Sequence, residues 1–128
     1  MSKKLVVFGG GGFVGSRLCP ILQDTYDLTI VDTFWFWDSV EEYKEQVGIT
    51  ARCIQEDTRD KGISRIINNA DAVINLSCLS NDTSSDINYG FTHDVSYNGV
   101  MNVVNNCIRK KIPKLIQTST TSVYGIKQ

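Results

Sequence analysis

Lys3–Ser16, KKLVVFGGGGFVGS, is the stretch whose reading decides the fold. Leu5 to Phe8 is an unbroken apolar run, the pattern of a strand buried on both faces in a parallel sheet. Four glycines then stop it. Gly9, Gly12 and Gly15 satisfy a GxxGxxG spacing, and Gly10, Gly12 and Gly15 satisfy GxGxxG equally well. Either spacing has the same physical meaning: a strand turns tightly into a helix, a diphosphate approaches the backbone without meeting a Cβ, and the helix lies close on the sheet. The N-terminus of that helix turns unpaired N–H groups and the positive end of its dipole toward the phosphates. The amphipathic run Phe13, Val14, Arg17, Leu18, Ile21, Leu22 supplies the helix this requires. A dinucleotide site is expected here, against the competing reading of a glycine turn that serves only the fold.

Outward from this stretch the chain alternates strands and helices. The first strand covers about Lys3 to Phe8 and the first helix about Gly12 to Gln23, with Pro20 expected to kink it or end it near Cys19. Asp27 to Asp32 reads as the second strand, and an aromatic loop, Thr33 to Trp37, follows it. A short helix near Asp38 to Gln46 is ended by Gly48. Ala51 to Gln55 is the third strand, and Lys61 to Asn69 a helix with Ile63, Ile66 and Ile67 on one face. Ala72 to Ser77 is the fourth strand. The longest helix spans about Asn88 to Arg109, with Val100, Val103, Val104, Cys107 and Ile108 recurring at helical spacing. Lys114 to Ser119 is the fifth strand. This alternation predicts an α/β fold, a Rossmann-type doubly wound parallel sheet of five strands in order 3-2-1-4-5 with helices on both faces. The ligand crevice then lies at the carboxyl ends of strands 1 and 4.

Composition narrows the function classes. An apolar content of 41% in 128 residues supports one core and one domain, residues 1–128. A net charge of -1 with interspersed signs gives no general attraction for nucleic acid or anionic lipid. No apolar run approaches the ~20 residues of a membrane span, and no signal-type apolar segment follows the N-terminal lysines, so a cytoplasmic protein is expected. Cys19, Cys53, Cys78 and Cys107 are far apart in sequence, with no CxxC and only His93 as a further ligand type. No metal site is indicated, and reduced thiols are expected.

Individual residues carry the chemistry. Asp32 ends the second strand twenty residues after Gly12, where a carboxylate accepts hydrogen bonds from both ribose hydroxyls and repels a 2′-phosphate. NAD is therefore favoured over NADP, the alternative role being a loop-capping aspartate. Asp57 ends the third strand in a similar place. It is read either as a partner of the adenine amino group or as a helix N-cap. The loop Phe34-Trp35-Phe36-Trp37 either walls the adenosine pocket, meets a partner surface, or packs on the second helix. His93 reads as a helix-surface histidine.

These residues resemble the extended short-chain dehydrogenases/reductases, specifically the NAD-dependent nucleotide-sugar epimerase/dehydratase group. VVFGGGGFVGS (Val6 to Ser16) is similar to that family's VTGGAGFIGS, EDTRD (Glu56 to Asp60) to GDIRD, DAVINLSCLSND (Asp71 to Asp82) to DAVIHLAAISND, and TSTTSVYG (Thr118 to Gly125) to SSSSVYG. The motifs run along the whole chain in the family's order. The resemblance implies that Gly9, Gly12, Phe13 and Val14 contact the diphosphate, Asp32 and Thr33 the adenosine ribose, and Asp57 and Thr58 the adenine. It places Leu76, Ser77 and Cys78 beside the nicotinamide ribose, with Ser96 and Thr118 as further cofactor contacts. Cys78 stands where the family has small residues, Ser96 where it has Asn, and Trp37 where close relatives carry Gly.

The resemblance also implies a catalytic role for Thr120, whose hydroxyl would hydrogen-bond the reacting oxygen of a nucleotide sugar. It implies a homodimer through the helix near 88–109. The family's general base is the Tyr of a YxxxK pair beyond the VYG motif, and no YxxxK occurs in these 128 residues. The later strands and a small substrate-binding domain are absent as well. The expectation is an NAD-binding Rossmann part, incomplete and not competent in turnover by itself. A stand-alone dinucleotide-binding or sensing module and a half-enzyme completed in trans are the alternatives.

Overall fold

A computed structural model of the chain describes residues 2–77 and 94–118. At its centre is β1 (Lys4–Phe8), which pairs in parallel with β2 (Asp27–Asp32) on one side and β4 (Ala72–Asn75) on the other. β3 (Arg52–Gln55) extends the sheet beyond β2, and β5 (Leu115–Gln117) extends it beyond β4. The order is β3-β2-β1-β4-β5, all parallel, as the strand and helix alternation predicts. Val7 sits opposite Ile30 and Ile74, so the middle of β1 has apolar neighbours on both sides.

Successive side chains of β1 point to opposite faces, and each face has its own core. Val6 and Phe8 join Val31 and Val73 under Ile63, Ile67, Val103 and Cys107. Leu5 and Val7 join Leu28 and Ile30 under Cys19, Phe34 and Tyr43. The helices on the second face are α1 (Phe13–Leu22) and α2 (Val40–Val47). Ser39 caps α2 by accepting a hydrogen bond from the Glu42 N–H at 3.0 Å. Gly48 ends it in the left-handed conformation at φ 86°. The first face is covered by α3 (Ile63–Ile66) and α4 (Val100–Arg109), α4 continuing a π-helical turn at Asp94–Gly99.

Three expectations are corrected. Pro20 does not end α1 near Cys19: the helix runs on to Leu22, and the Gln23 N–H still reaches the Cys19 carbonyl at 3.0 Å. The ring forfeits one main-chain bond, while the fully buried Cys19 keeps this end of the helix on the core. The helix expected over Lys61 to Asn69 shrinks to Ile63–Ile66. Asn69 takes a left-handed φ of 63°, and the Asp71 N–H is already bonded to the Lys4 carbonyl at 2.8 Å, so the chain must turn into β4 at once.

The long helix is not uniform either. Where it passes the β3 loop, a Cβ on Gly99 would lie 2.5 Å from the Thr58 Oγ1, and the widened turn ends at this glycine. Ile108, expected on the buried face, is 70% exposed, while Val103, Asn106 and Cys107 face inward. The beginning of this helix near Asn88 lies outside the described residues, as does Ser119 at the expected end of β5.

Candidate dinucleotide site

The carboxyl ends of β1, β2, β3 and β4 converge on one cleft. Its geometry begins with the glycine turn, where Gly9 and Gly10, the first glycines of the two spacings, both lack room for a Cβ. Gly9 has φ 87°, and a Cβ there would fall 2.7 Å from the Ser77 N, so strand β4 passes in direct backbone contact. Gly15 lies against the backbone of Gly9 and Gly10, which seats α1 on the turn. Gly12 is the N-cap of α1 and meets only the Gly9 carbonyl, at 3.5 Å, so its face opens into the cleft. No side chain caps α1 and its first turn holds no acid. The helix end is therefore left with N–H groups and a positive dipole to offer an anion.

The turn is held from behind by three side chains. The Asp32 Oδ2 accepts from the Gly11 N–H at 2.8 Å, and its Oδ1 accepts from the Phe34 N–H at 2.7 Å. Trp37 donates from Nε1 to the Gly11 carbonyl at 2.9 Å, and the buried Tyr43 hydroxyl donates to the Gly10 carbonyl at 2.8 Å. Phe34 packs tilted and Trp37 edge-on against Tyr43, with centroid distances of 4.9 and 5.3 Å. Two of the four loop aromatics thus pack on α2. The other two, Trp35 and Phe36, line the cleft. Asp32 both caps the loop and faces the cleft. Its Oδ1 also takes a long hydrogen bond from the Thr33 hydroxyl at 3.5 Å, and a lone pair remains on Oδ2, since a carboxylate accepts at about four positions.

On the far side stand Glu56, Asp57 and Thr58. The Asp57 Oδ1 accepts from the Arg59 N–H at 2.9 Å and its Nε at 3.0 Å, and Oδ2 accepts from Nη2 at 2.6 Å. Asp57 is not a helix N-cap, a position that Gly62 holds for α3. The Asn102 Nδ2 of α4 donates to the Thr58 carbonyl at 2.7 Å and the Asp60 carbonyl at 3.0 Å, tying this loop to the helix. A hydrogen bond with Asp60, and to a lesser degree burial, raises the pKa of Glu56 above the ordinary carboxylate value.

The end of β4 is organised by Asn75, which is fully buried. It donates from Nδ2 to Gln117 Oε1 at 2.9 Å and accepts at Oδ1 from the Ser77 N–H at 3.1 Å. The Asn75 carbonyl takes the Thr118 N–H at 3.2 Å and the Thr118 hydroxyl at 3.0 Å.

Of the residues singled out in the sequence, Gly9, Gly12, Asp32, Thr33, Asp57, Thr58, Leu76 and Ser77 line this one cleft. Phe13 and Val14 are exposed on the first turn of α1. Phe13 lies under the Arg17 guanidinium at 4.6 Å, in the neighbouring groove bordered by Phe36 and Trp37. Thr118 turns its hydroxyl to Asn75. Ser96 belongs to the π-helical turn. Cys78, His93 and Thr120 lie outside the described residues. Sequence reasoning passed over Glu56 and Asn75. Glu56 was visible only as part of EDTRD, and Asn75 as the polar residue closing an apolar strand. Among the described residues no cluster of metal-ligating side chains occurs, and no helix is long and apolar enough to cross a membrane.

Comparisons with known proteins agree with this arrangement. The model of the 3-beta hydroxysteroid dehydrogenase/isomerase family matches residues 6–128. The chain is 27% identical over 127 residues to the UDP-N-acetyl-alpha-D-glucosaminuronate decarboxylase of Bacillus cytotoxicus, an alignment covering 98% of this chain and 39% of that protein. It is 22% identical over 120 residues to short-chain dehydrogenase/reductase family 42E member 1 of Danio rerio, covering 92% and 29%. Its fold is similar to that of UDP-N-acetylglucosamine 4-epimerase from Methanobrevibacter ruminantium M1, solved with UDP-N-acetylmuramic acid, at a TM-score of 0.85 and 26% identity. That match covers 98% of this chain and 40% of the epimerase. UDP-glucose-4-epimerase from Stenotrophomonas maltophila, solved with NAD and formylated UDP-arabinopyranose, shares the fold at a TM-score of 0.83 and 23% identity, over 100% and 40% of the two chains. The chain thus spans between 29% and 40% of the length of these relatives.

Proposed function

The chain belongs to the 3-beta hydroxysteroid dehydrogenase/isomerase family, and on that premise we propose that it is the NAD-binding part of an enzyme acting on a nucleotide sugar. The carrying observation is that the glycine turn, the uncapped start of α1 and the Asp32 carboxylate share one cleft. The fit to NAD rests on this chain's own atoms. Gly12 offers the diphosphate a face with no side chain, the first N–H groups of α1 bind its oxygens, and Asp32 accepts from the two ribose hydroxyls. Thr33, Asp57 and Thr58 border the adenosine end. Leu76 and Ser77 border the nicotinamide end, with Phe13, Val14, Cys78, Ser96 and Thr118 as further contacts. When bound, NAD supplies a hydride acceptor and donor. The nucleotide-sugar substrate is supported by the decarboxylase and the epimerase above, whose names both specify UDP-sugars.

The protein's part in turnover would fall to Thr120, whose hydroxyl orients the reacting oxygen. No YxxxK pair occurs in these 128 residues, so we take the polypeptide to bind without turning a sugar over by itself. We also propose self-association through the helix that ends in α4, where Tyr97, Met101 and Ile108 are exposed.

Calorimetry tests the cofactor reading. NAD should bind more tightly than NADP, because a 2′-phosphate would meet the Asp32 carboxylate, and Asp32→Ala should narrow the gap. Gly12→Val, a substitution with room in the fold, should abolish detectable binding. Equal binding of NAD by Gly12→Val and the parent would refute the placement.

A further inference from the structure

The four aromatics after β2 divide in a way that packing alone does not require. Phe34 is buried on Tyr43 with its backbone at φ 56°, a left-handed value uncommon for a bulky residue. Two hydrogen bonds hold it there, from its own N–H to the Asp32 Oδ1 at 2.7 Å and from the Trp37 N–H to its carbonyl at 3.1 Å. The tight turn throws the next two side chains outward: Trp35 is 56% exposed and Phe36 is 83% exposed, and both line the cleft. They share this cleft with Thr58 and the glycine turn, and at about 130 Å³ the whole of it is well below the roughly 300–1,000 Å³ of pockets that enclose a ligand, so a dinucleotide would rest against its walls rather than be enclosed. Its lining is mainly apolar, and the Asp57 carboxylate beside it is already engaged at both oxygens by Arg59.

We propose that Trp35 and Phe36 form a stacking platform for the purine of the dinucleotide, so that the base is held by its face rather than by hydrogen bonds to its amino group. This rests on the dinucleotide reading of the same cleft and adds what grips the base. Aromatic faces suit this role because they accept any flat heterocycle, at about 1–3 kcal/mol per stacked base, or roughly a five- to 150-fold change in affinity. The ribose acid and the platform are then adjacent in sequence, Asp32 reading the sugar and Trp35 the base.

The test is calorimetry on Trp35→Ala, Phe36→Ala and Trp35→Phe with NAD and with nicotinamide hypoxanthine dinucleotide, which lacks the amino group. Both alanine variants should bind NAD about fivefold or more weakly with unchanged thermal unfolding, since neither side chain is buried. Trp35→Phe should retain most of the affinity. The hypoxanthine analogue should bind the parent within about twofold of NAD, and AMP should quench Trp emission in the parent but not in Trp35→Phe. Parental affinity in both alanine variants would overturn the platform while leaving the dinucleotide reading intact. So would a parent that rejects the hypoxanthine analogue. A parent that binds no NAD would overturn both.

Discussion

Asp32 combines two duties in one carboxylate, and the way it does so shows how single residues build this site. Its oxygens hold the Gly11 and Phe34 N–H groups, fixing the turn and the loop, and a lone pair remains on Oδ2 beside the cleft. Behind it, the contacts of Tyr43 and Cys19 keep the glycine turn in place from within the core. Burial, followed by the neighbouring Cys53, pushes the Cys19 thiol from 9.0 up to about 12. Tyr43 is raised above its ordinary value for the same leading reason. A raised folded-state pKa stabilises the fold fully below the unfolded value and progressively less as pH climbs toward the folded one. The contribution of Cys19 to stability by urea unfolding should therefore be flat below pH 9 and fall between about pH 9 and 12, and Cys19→Ala should flatten that part of the slope. Cys19 is fully buried and its thiol is raised, so a thiol reagent should modify the half-buried Cys53 well before Cys19.

Among the elements, the strands were legible almost to the residue, because runs such as LVVF and LTIV have no helical periodicity and are bounded by turn formers. The helices were less so. Pro20 was expected to kink α1 or end it near Cys19, and the helix instead runs on to Leu22 with Cys19 buried in the core. Asn69 cuts α3 short through a backbone conformation that no periodicity reveals. The π-helical turn ends where Gly99 meets Thr58, 41 positions away in sequence, an encounter that local reading cannot supply. That encounter makes a prediction. Replacing a helical glycine by alanine ordinarily stabilises by about 1 kcal/mol, but Gly99→Ala should destabilise by about 1–3 kcal/mol because its Cβ would meet the Thr58 Oγ1 at 2.5 Å. Thr58→Ala in the same chain should return much of the loss, and chemical denaturation of the two variants measures it. The site itself was legible where chemistry has a fixed spacing, in Gly9, Gly12 and Asp32, and illegible where a side chain acts through a tertiary contact, as Tyr43, Trp37 and Asn75 do.

For the whole molecule, one face of the long helix carries exposed apolar side chains. Tyr97, Met101 and Ile108 recur on it at helical spacing and are exposed, while Val103 and Cys107 on the opposite side belong to the core. If this face joins two copies, sedimentation at rising concentration should show a monomer–dimer equilibrium, and Ile108→Glu should shift it toward monomer without lowering stability, since that side chain is 70% exposed. A monomer at all concentrations would remove the proposed pairing. Asn102, whose neighbour on the same helix is Met101, holds the Thr58 and Asp60 carbonyls, so this helix and the rim of the cleft are tied together.

The central position of β1 has a consequence in time. Its first-made neighbour, β2, emerges soon after it during synthesis, but its other neighbour, β4, begins 67 residues after the partner it must meet at Leu5. At roughly 5–20 residues per second of translation, one edge of the most apolar strand in the chain waits about 3 to 13 s for its permanent cover. A nascent chain carrying that open edge is the form of this protein most in need of a chaperone, and the glycine turn is completed only when that wait is over, because Gly9 is seated against the backbone at Ser77.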